Sequence, residues 1–390
     1  MTPTTAPSAT RPMFEFPLPV EDLWAERTSQ FLGSGIPRRV LRQVKRRVTD
    51  SWVDGPGGWT YEWTAAARDL EARGRWLPAA LAYGAGRFPS LASESRQTAQ
   101  RDQLRAFARA THGSVTREVI AVPYRGGTTA VLVHRYSCRR PHAVLCLTGG
   151  VDTWKVELHR LAAALRTMAR IDVVIFDMPG TGESEVPLAG DAEVIYRGVV
   201  DAVRADGLPV GVMGMSFGGL WAAKLAVEGG VDFAIDLGGP VGASERDSGE
   251  LLALPNGMPG IVAHALWLDE LPAAEDLPGL LDQFSLRDAL DRSGGRLRAP
   301  LLAVNGTADQ YLPRHDLEVF RPFPEATVWA VEGATHCAVE QIVPVMIGIT
   351  AWINANTRRS FASRALIALA TWGVCHRPRR TRRAGGDQVG

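Results

Sequence analysis

Cysteine is scarce in this chain, and the four present, Cys138, Cys146, Cys337 and Cys375, are too few and too scattered to staple a fold. No C-x-x-C pair suggests zinc or redox exchange, so a reducing compartment is expected. Long apolar runs are missing too. Met1 to Met13 is polar and punctuated by proline, and the longest greasy stretch, Ala365 to Cys375, is about half of the ~20 residues a bilayer span needs. The expectation is a cytoplasmic protein without stable membrane insertion. An excess of one charge sign is also lacking, at a net +1, but the balance is uneven. Residues 358–390 hold eight arginines against Asp387, a local +7 that leaves residues 1–357 at −6. A mildly acidic body has no electrostatic footprint for nucleic acid. No H-E-x-x-H and no paired-carboxylate spacing is present, so neither a metal nor another cofactor is implied. Lysine is nearly absent as well: Lys45, Lys155 and Lys224 are the only ones among 43 basic residues, a bias of composition rather than mechanism.

What remains is an ordinary globular chain of 390 residues, 46% hydrophobic and 22% charged, long enough for a core domain with an accessory module. Residues 1–12 read as a disordered lead-in. Residues 13–112 read as a helical cap domain, with apolar residues at threes and fours in VLRQVKRRV, WTAAARDLEARGRWLPAALAYGAGRF and DQLRAFARA. Trp24, Trp52, Trp59, Trp63 and Trp76 fall there, first as helix-packing core and second as aromatic walls of a ligand pocket. Residues 113–357 change texture. REVIAVPY and TTAVLVHRY bracket Arg125-Gly126-Gly127 as a hairpin, and then HAVLCLT, DVVIFDM, PVGVMGM, FAIDLG, PLLAVNG and TVWAVEG follow as short apolar runs. Strands apolar on both faces, alternating with helices, predict an α/β architecture with a mainly parallel central sheet covered on both sides. Residues 358–390 form the basic C-terminal tail.

One motif organises the chemistry. Gly214-Met215-Ser216-Phe217-Gly218 lies between the strand PVGVMGM and the helix LWAAKLAVEG, where a nucleophile elbow exposes its serine above the sheet. A serine hydroxyl needs a base and a group to orient that base. Asp309 follows the strand PLLAVNG, His336 follows TVWAVEG, and the order Ser216, Asp309, His336 is that of an α/β-hydrolase. The Phe217 amide is one expected oxyanion donor. The second comes from the loop Thr148 to Thr153, assigned to Val151 with Gly150 as the alternative. Asp152 reads as the N-cap of a helix beginning in DTWKVE, and Lys155 as a partner for a carboxylate. Asp177, in DMPGTGES, rivals Asp309 as the acid but precedes the serine and belongs to a turn. His112, His134, His142 and His315 read as structural or solvated, while His159 and His264 are weaker candidates to line the site.

The cap pattern W-x-x-x-A through Arg73-Gly74-Arg75, the loop GGVDTWKVE, DMPGTGES, GMSFGG, the Asp309 turn and His336 together resemble the α/β-hydrolases that carry an N-terminal helical cap. That group includes relatives of the fermentation–respiration switch protein, dihydroxypseudooxynicotine hydrolase and fungal polyketide-shortening hydrolases. The resemblance spans about residues 50–357. It implies an α/β-hydrolase fold with an all-helical cap, and cleavage of an ester, thioester or ketone-adjacent C–C bond in a small polyketide-like or aromatic metabolite. Acyl transfer, cyclisation or elimination on the same triad is the alternative, and a non-catalytic binding module a third. Asp152, Lys155 and Glu245 are auxiliary candidates, with Asp247 beside Glu245. Leu266, Trp267 and Leu268 are expected in an apolar wall. Pairing of two copies through the cap, and attachment of the basic tail to acidic lipid, stay open.

Overall fold

A computed structural model describes residues 11–204 and 207–358. Residues 1–10 of the lead-in and residues 359–390 of the basic tail lie outside the described residues. The chain is already docked at Arg11 and Pro12, which the sequence reading placed in the lead-in. From there to Pro19 an extended strap buries Phe16 and Leu18 and stacks Phe14 on His264 at 4.1 Å between ring centroids.

The strap leads into five helices, α1 (Val20–Ser34), α2 (Arg38–Lys45), α3 (Trp59–Ala72), α4 (Trp76–Arg87) and α5 (Glu94–Ala110). Their ends are chemically marked. Gly35, at φ 119°, closes α1, and the hydroxyl of Ser93 accepts the Arg96 amide at the start of α5. Trp59 and Trp63 are fully buried, Trp24 packs 4.7 Å from Trp59, and the Trp59 indole donates to the Ala85 carbonyl at 2.6 Å. These three tryptophans form the core of the cap. Burial of such large rings is what holds short helices together, since isolated helices of this length are marginal in water.

Eight strands form one sheet: β1 (Thr116–Tyr124), β2 (Gly127–Tyr136), β3 (Val144–Thr148), β4 (Asp172–Phe176), β5 (Val210–Met215), β6 (Phe233–Leu237), β7 (Leu301–Gly306) and β8 (Ala326–Val331). Their spatial order is β1-β2-β4-β3-β5-β6-β7-β8. β1 and β2 pair antiparallel through a turn whose Arg125 and Gly126 both have positive φ, at 47° and 76°. From β4 onward neighbours are parallel, and every residue of β3, β6 and β7 is buried. That is why those strands read as continuous apolar runs.

Helices α6 (His159–Ala169), α7 (Glu193–Val203) and α8 (Phe217–Glu228) connect strands. Between β6 and β7 lie α9 (Ser248–Leu252), α10 (Met258–Ala265), α11 (Leu277–Asp282) and α12 (Arg287–Arg292). After β7 comes α13 (Arg314–Glu318), and α14 (Ile342–Arg358) ends the described chain. α7 and α8 touch on one side of the sheet, α6 and α14 on the other. Among the described residues one stretch, His336–Arg358, is long and apolar enough to cross a bilayer, but Val345, Ile349, Trp352 and Ile353 within it are buried against the sheet. The strap and α10 meet above the C-terminal ends of the parallel strands, the edge where open α/β sheets place their sites.

Candidate active site

β5 enters α8 through a turn that only glycine neighbours permit. Ser216 sits at φ 52° and ψ −133°, a strained conformation for a residue with a side chain. A Cβ on Gly214 would lie 1.9 Å from the Gly218 carbonyl oxygen, and one on Gly218 would lie 2.2 Å from that of Gly149. The G-x-S-x-G spacing is therefore a packing requirement: two backbones cross where any side chain would collide.

The loops after β7 and β8 bring the other two residues to this turn. His336 Nε2 lies 2.8 Å from Ser216 Oγ, and His336 Nδ1 lies 2.7 Å from Asp309 Oδ2. Asn305, the penultimate residue of β7, ties both loops together: its side-chain amide donates to Asp309 Oδ2 at 2.7 Å while its carbonyl oxygen accepts the Cys337 amide at 3.0 Å. Tyr311 donates its amide to Asp309 Oδ1 at 2.7 Å and sets its ring edge-on to the imidazole at 5.1 Å. Burial by itself would raise the Asp309 carboxyl, but the hydrogen bonds from His336, Asn305 and Tyr311 hold it below the ordinary aspartate value. Burial likewise opposes charge on His336, and Cys337 and Asp309 outweigh it, so the ring sits above the ordinary histidine value.

The loop after β3 lies against the serine. A Cβ on Gly150 would come within 2.8 Å of Ser216 Cβ and 3.3 Å of the Phe217 amide nitrogen. Val151 and Phe217 line a cavity of about 80 Å³ together with Ser216 and His336. Leu251, Leu254, Met258 and Val262 supply its apolar side. The apolar wall thus comes from α9, α10 and the turn joining them, with Leu281 of α11 and Leu312 after β7, rather than from Leu266 and Leu268; Trp267 faces a neighbouring cavity.

The auxiliary candidates take structural partners. Asp152 is not an N-cap, because α6 begins only at His159; it binds Arg27 of the cap at 2.6 Å. Lys155 is buried, with its ammonium on Asp177 and, at 2.8 Å, on Glu183. Asp177 also accepts the Lys155 and Glu183 amides, each at 2.8 Å, so this carboxylate is committed to holding the turn after β4. Glu245 is bound by Arg287 and lies beside His315 and Asp316, around a guanidinium that already occupies its oxygens. His134 stacks on Phe107 and is pushed down to about 3 by burial; His264 stacks on Phe14 and is pushed down to about 4 for the same reason.

Several residues of the site carry no motif. Glu26 of α1 accepts the Tyr311 hydroxyl at 2.6 Å, so the cap reaches the loop that holds the acid. Asp236, buried in β6, accepts the Gly239 amide at 2.7 Å, and burial raises its carboxyl to about 7. A charged residue inside an otherwise apolar strand was the one available signal for Asp236; nothing local marks Glu26.

A parallel sheet, a strained serine at a strand-to-helix turn, and a helical cap over the strand ends define an α/β-hydrolase. By its match to the model "Esterase FrsA-like" over residues 36–327, the chain belongs to the FrsA-like esterase family. The curated esterase FrsA of Vibrio cholerae is 25% identical over 313 residues, which cover 74% of this chain and 75% of that protein. That of Vibrio vulnificus is 22% identical over 306 residues, covering 71% and 72%. Among solved structures the fold is shared with AbyA5, at a TM-score of 0.74 and 22% identity over 90% of this chain and 99% of the other. It is shared also with 2,6-dihydroxy-pseudo-oxynicotine hydrolase, at a TM-score of 0.67 and 20% identity over 85% and 95%.

Proposed function

We propose that this enzyme is a serine hydrolase in which Ser216, His336 and Asp309 form the catalytic triad, acting on an ester, thioester or ketone-adjacent C–C bond of a small metabolite. The observation that carries the reading is the unbroken chain of contacts, 2.8 Å from serine to imidazole and 2.7 Å from imidazole to carboxylate, at one end of an apolar cavity.

Ser216 Oγ attacks the carbonyl carbon as its proton passes to His336 Nε2, and Asp309 holds the ring tautomer and stabilises the imidazolium. The amides of Val151 and Phe217 receive the developing oxyanion, the latter at the positive end of α8. His336 returns the proton to the leaving oxygen, sulfur or enolate carbon as the bond to it breaks, and an acyl-enzyme remains. Water, deprotonated by His336, adds to the acyl carbon, and the bond to Ser216 Oγ breaks as His336 returns that proton to the serine oxygen. The apolar lining favours a hydrocarbon or aromatic substrate body, consistent with a polyketide-like or aromatic metabolite.

A fluorophosphonate probe followed by peptide mapping tests the reading: modification at Ser216, abolished in Ser216→Ala, is expected, and labelling unchanged in that variant overturns it. One observation favours a second outcome for the same triad. The cavity is narrow and mostly apolar, which disfavours free entry of water and suits transfer or elimination. Incorporation of oxygen-18 from labelled water into the acid product separates the two, since only hydrolysis places solvent oxygen there.

A further inference from the structure

Residues 149–158 join β3 to α6 with no helix or strand of their own. Val151, the expected second oxyanion donor, lies in this stretch, so its place depends on contacts that the loop finds elsewhere. The core supplies one side. A Cβ on Gly149 would lie 1.8 Å from the Thr153 carbonyl oxygen, and one on Gly150 would lie 2.8 Å from Ser216 Cβ, so the loop doubles back on itself and wedges against the elbow.

The cap supplies the other side. Four side chains close a ring: Arg27 of α1 donates to Asp152 Oδ2 at 2.6 Å, and Asp152 Oδ1 accepts the Thr153 hydroxyl at 3.0 Å. Thr153 Oγ1 accepts the Gln30 amide at 2.5 Å, and Gln30 Oε1 accepts the Arg27 guanidinium at 2.8 Å. Next to the ring, the Trp154 indole donates to the Val151 carbonyl at 3.1 Å, and Arg87 of α4 lies 3.4 Å over that indole. The peptide bearing the Val151 amide is therefore bracketed. Before it, Gly150 packs on the serine; after it, the Val151 carbonyl is held by Trp154 and the Asp152 carboxylate by Arg27.

Stability is a poor account of the ring. Arg27 and Asp152 are both almost fully buried, and Arg27 Nε has no hydrogen-bond partner. Burial opposes the Arg27 charge, and Asp152 and Glu26 outweigh it, so the guanidinium stays ionised. A buried ion pair of this kind gains little over apolar residues of the same volume, and an unpaired buried N–H adds to its cost. What a charge-assisted bond supplies in a dry place is a fixed geometry. Oxyanion donors need that: losing one costs on the order of 10²–10³ in rate, and about 1 Å of misplacement can cost about 10².

We infer that Arg27 is a positioning residue for the reaction: through Asp152 the cap holds the Val151 amide where the oxyanion forms, which makes the cap part of the oxyanion hole as well as a cover for the cavity. The inference rests on the proposed roles of Ser216 and Val151.

The test uses the full chain and two inhibitors of one shape. Ser216 Oγ adds to the carbonyl carbon of butyl trifluoromethyl ketone, its proton passing to His336 Nε2, and leaves a hemiketal oxyanion; butyl methyl ketone binds without that bond. The quantity read is the ratio of the two inhibition constants, alongside kcat/KM for p-nitrophenyl acetate. Arg27→Met is expected to weaken the trifluoromethyl ketone ~10- to 100-fold and kcat/KM in step, with the methyl ketone unchanged, and Arg27→Lys to recover part of the loss. Arg27→Met combined with Asp152→Leu removes both charges, so it restores the melting temperature while the ratio stays low. Arg101→Met, on an exposed arginine of α5, keeps the wild-type ratio. A double variant that recovers the ratio together with its stability marks Arg27 as structural only and overturns the inference, as does equal weakening of both ketones. Turnover that survives in Ser216→Ala identifies failure of the serine reading instead.

Discussion

Each residue of the proposed triad is held by contacts that a substitution can remove one at a time. Asp309→Asn keeps the shape but removes one of the two groups, Cys337 and Asp309, that raise His336. The base must be neutral to accept the serine proton, so activity falls as pH drops through its pKa. In the wild type that acidic limb is expected above the ordinary histidine value; in Asp309→Asn, where the ring loses its carboxylate, it moves to lower pH, and kcat drops by about 10⁴. A pH profile of kcat/KM for both proteins checks the direction. A limb that stays in place removes Asp309 from its role.

Lys155 makes the opposite case, a charged residue whose work is structural. Lys155→Met leaves Asp177 buried with no directly bound cation, while Glu183 keeps Arg117, and breaking such a pair from one side costs about 3–5 kcal/mol. Thermal unfolding at neutral pH reads this loss. Asp177 is depressed in the folded state, its burial outweighed by Lys155 and backbone amides, so its contribution is present above the unfolded aspartate value and disappears as pH falls through the folded one. The gap in melting temperature between wild type and variant is expected to narrow in acid.

Among elements, the β5–α8 turn is the most constrained. A methyl on Gly218 meets the Gly149 carbonyl at 2.2 Å, and both partners are backbone. Gly218→Ala is therefore expected to cost more than about 2 kcal/mol and to disturb the loop carrying Gly150 and Val151, read as a lower denaturant midpoint together with lost fluorophosphonate labelling. α1 couples the two layers differently. Arg27 binds Asp152 and Glu26 accepts from Tyr311, so one helical turn of the cap touches both the loop after β3 and the loop after β7. The strand–turn–helix around Ser216 was legible in sequence because its glycines, apolar run and following helix are contiguous. Glu26 and Arg27 were not, because an acidic and a basic neighbour on a surface-patterned helix look the same whether they face water or another domain. Asp152 was misread for the same reason: an aspartate before a helical pattern resembles a cap until a distant arginine claims it.

At the scale of the whole molecule, the strap bridges the cap and α10: Ser51 and Trp52 donate to its Leu18 and Phe16 carbonyls, and Phe14 stacks on His264. Phe16 and Leu18 are buried, and Phe14 covers His264. Removing residues 1–18 exposes these contacts at about 1.5–3 kcal/mol for each large side chain, so a drop of several degrees in melting temperature is expected by calorimetry. No drop would mean that the strap adds nothing to the closed form.

The sequence by itself determined the sheet, the helical cap and the identity of the three residues that meet at Ser216, because periodicity and turn chemistry are local and a strand-to-helix elbow needs glycine at fixed offsets. Tertiary structure alone decided which charges are buried, that Arg11 belongs to a cavity rather than a tail, and that α1 reaches the loops after β3 and β7. Those outcomes depend on which surfaces exclude water from one another, and desolvation of a charge is a property of its neighbours in space, which the order of residues along the chain does not encode.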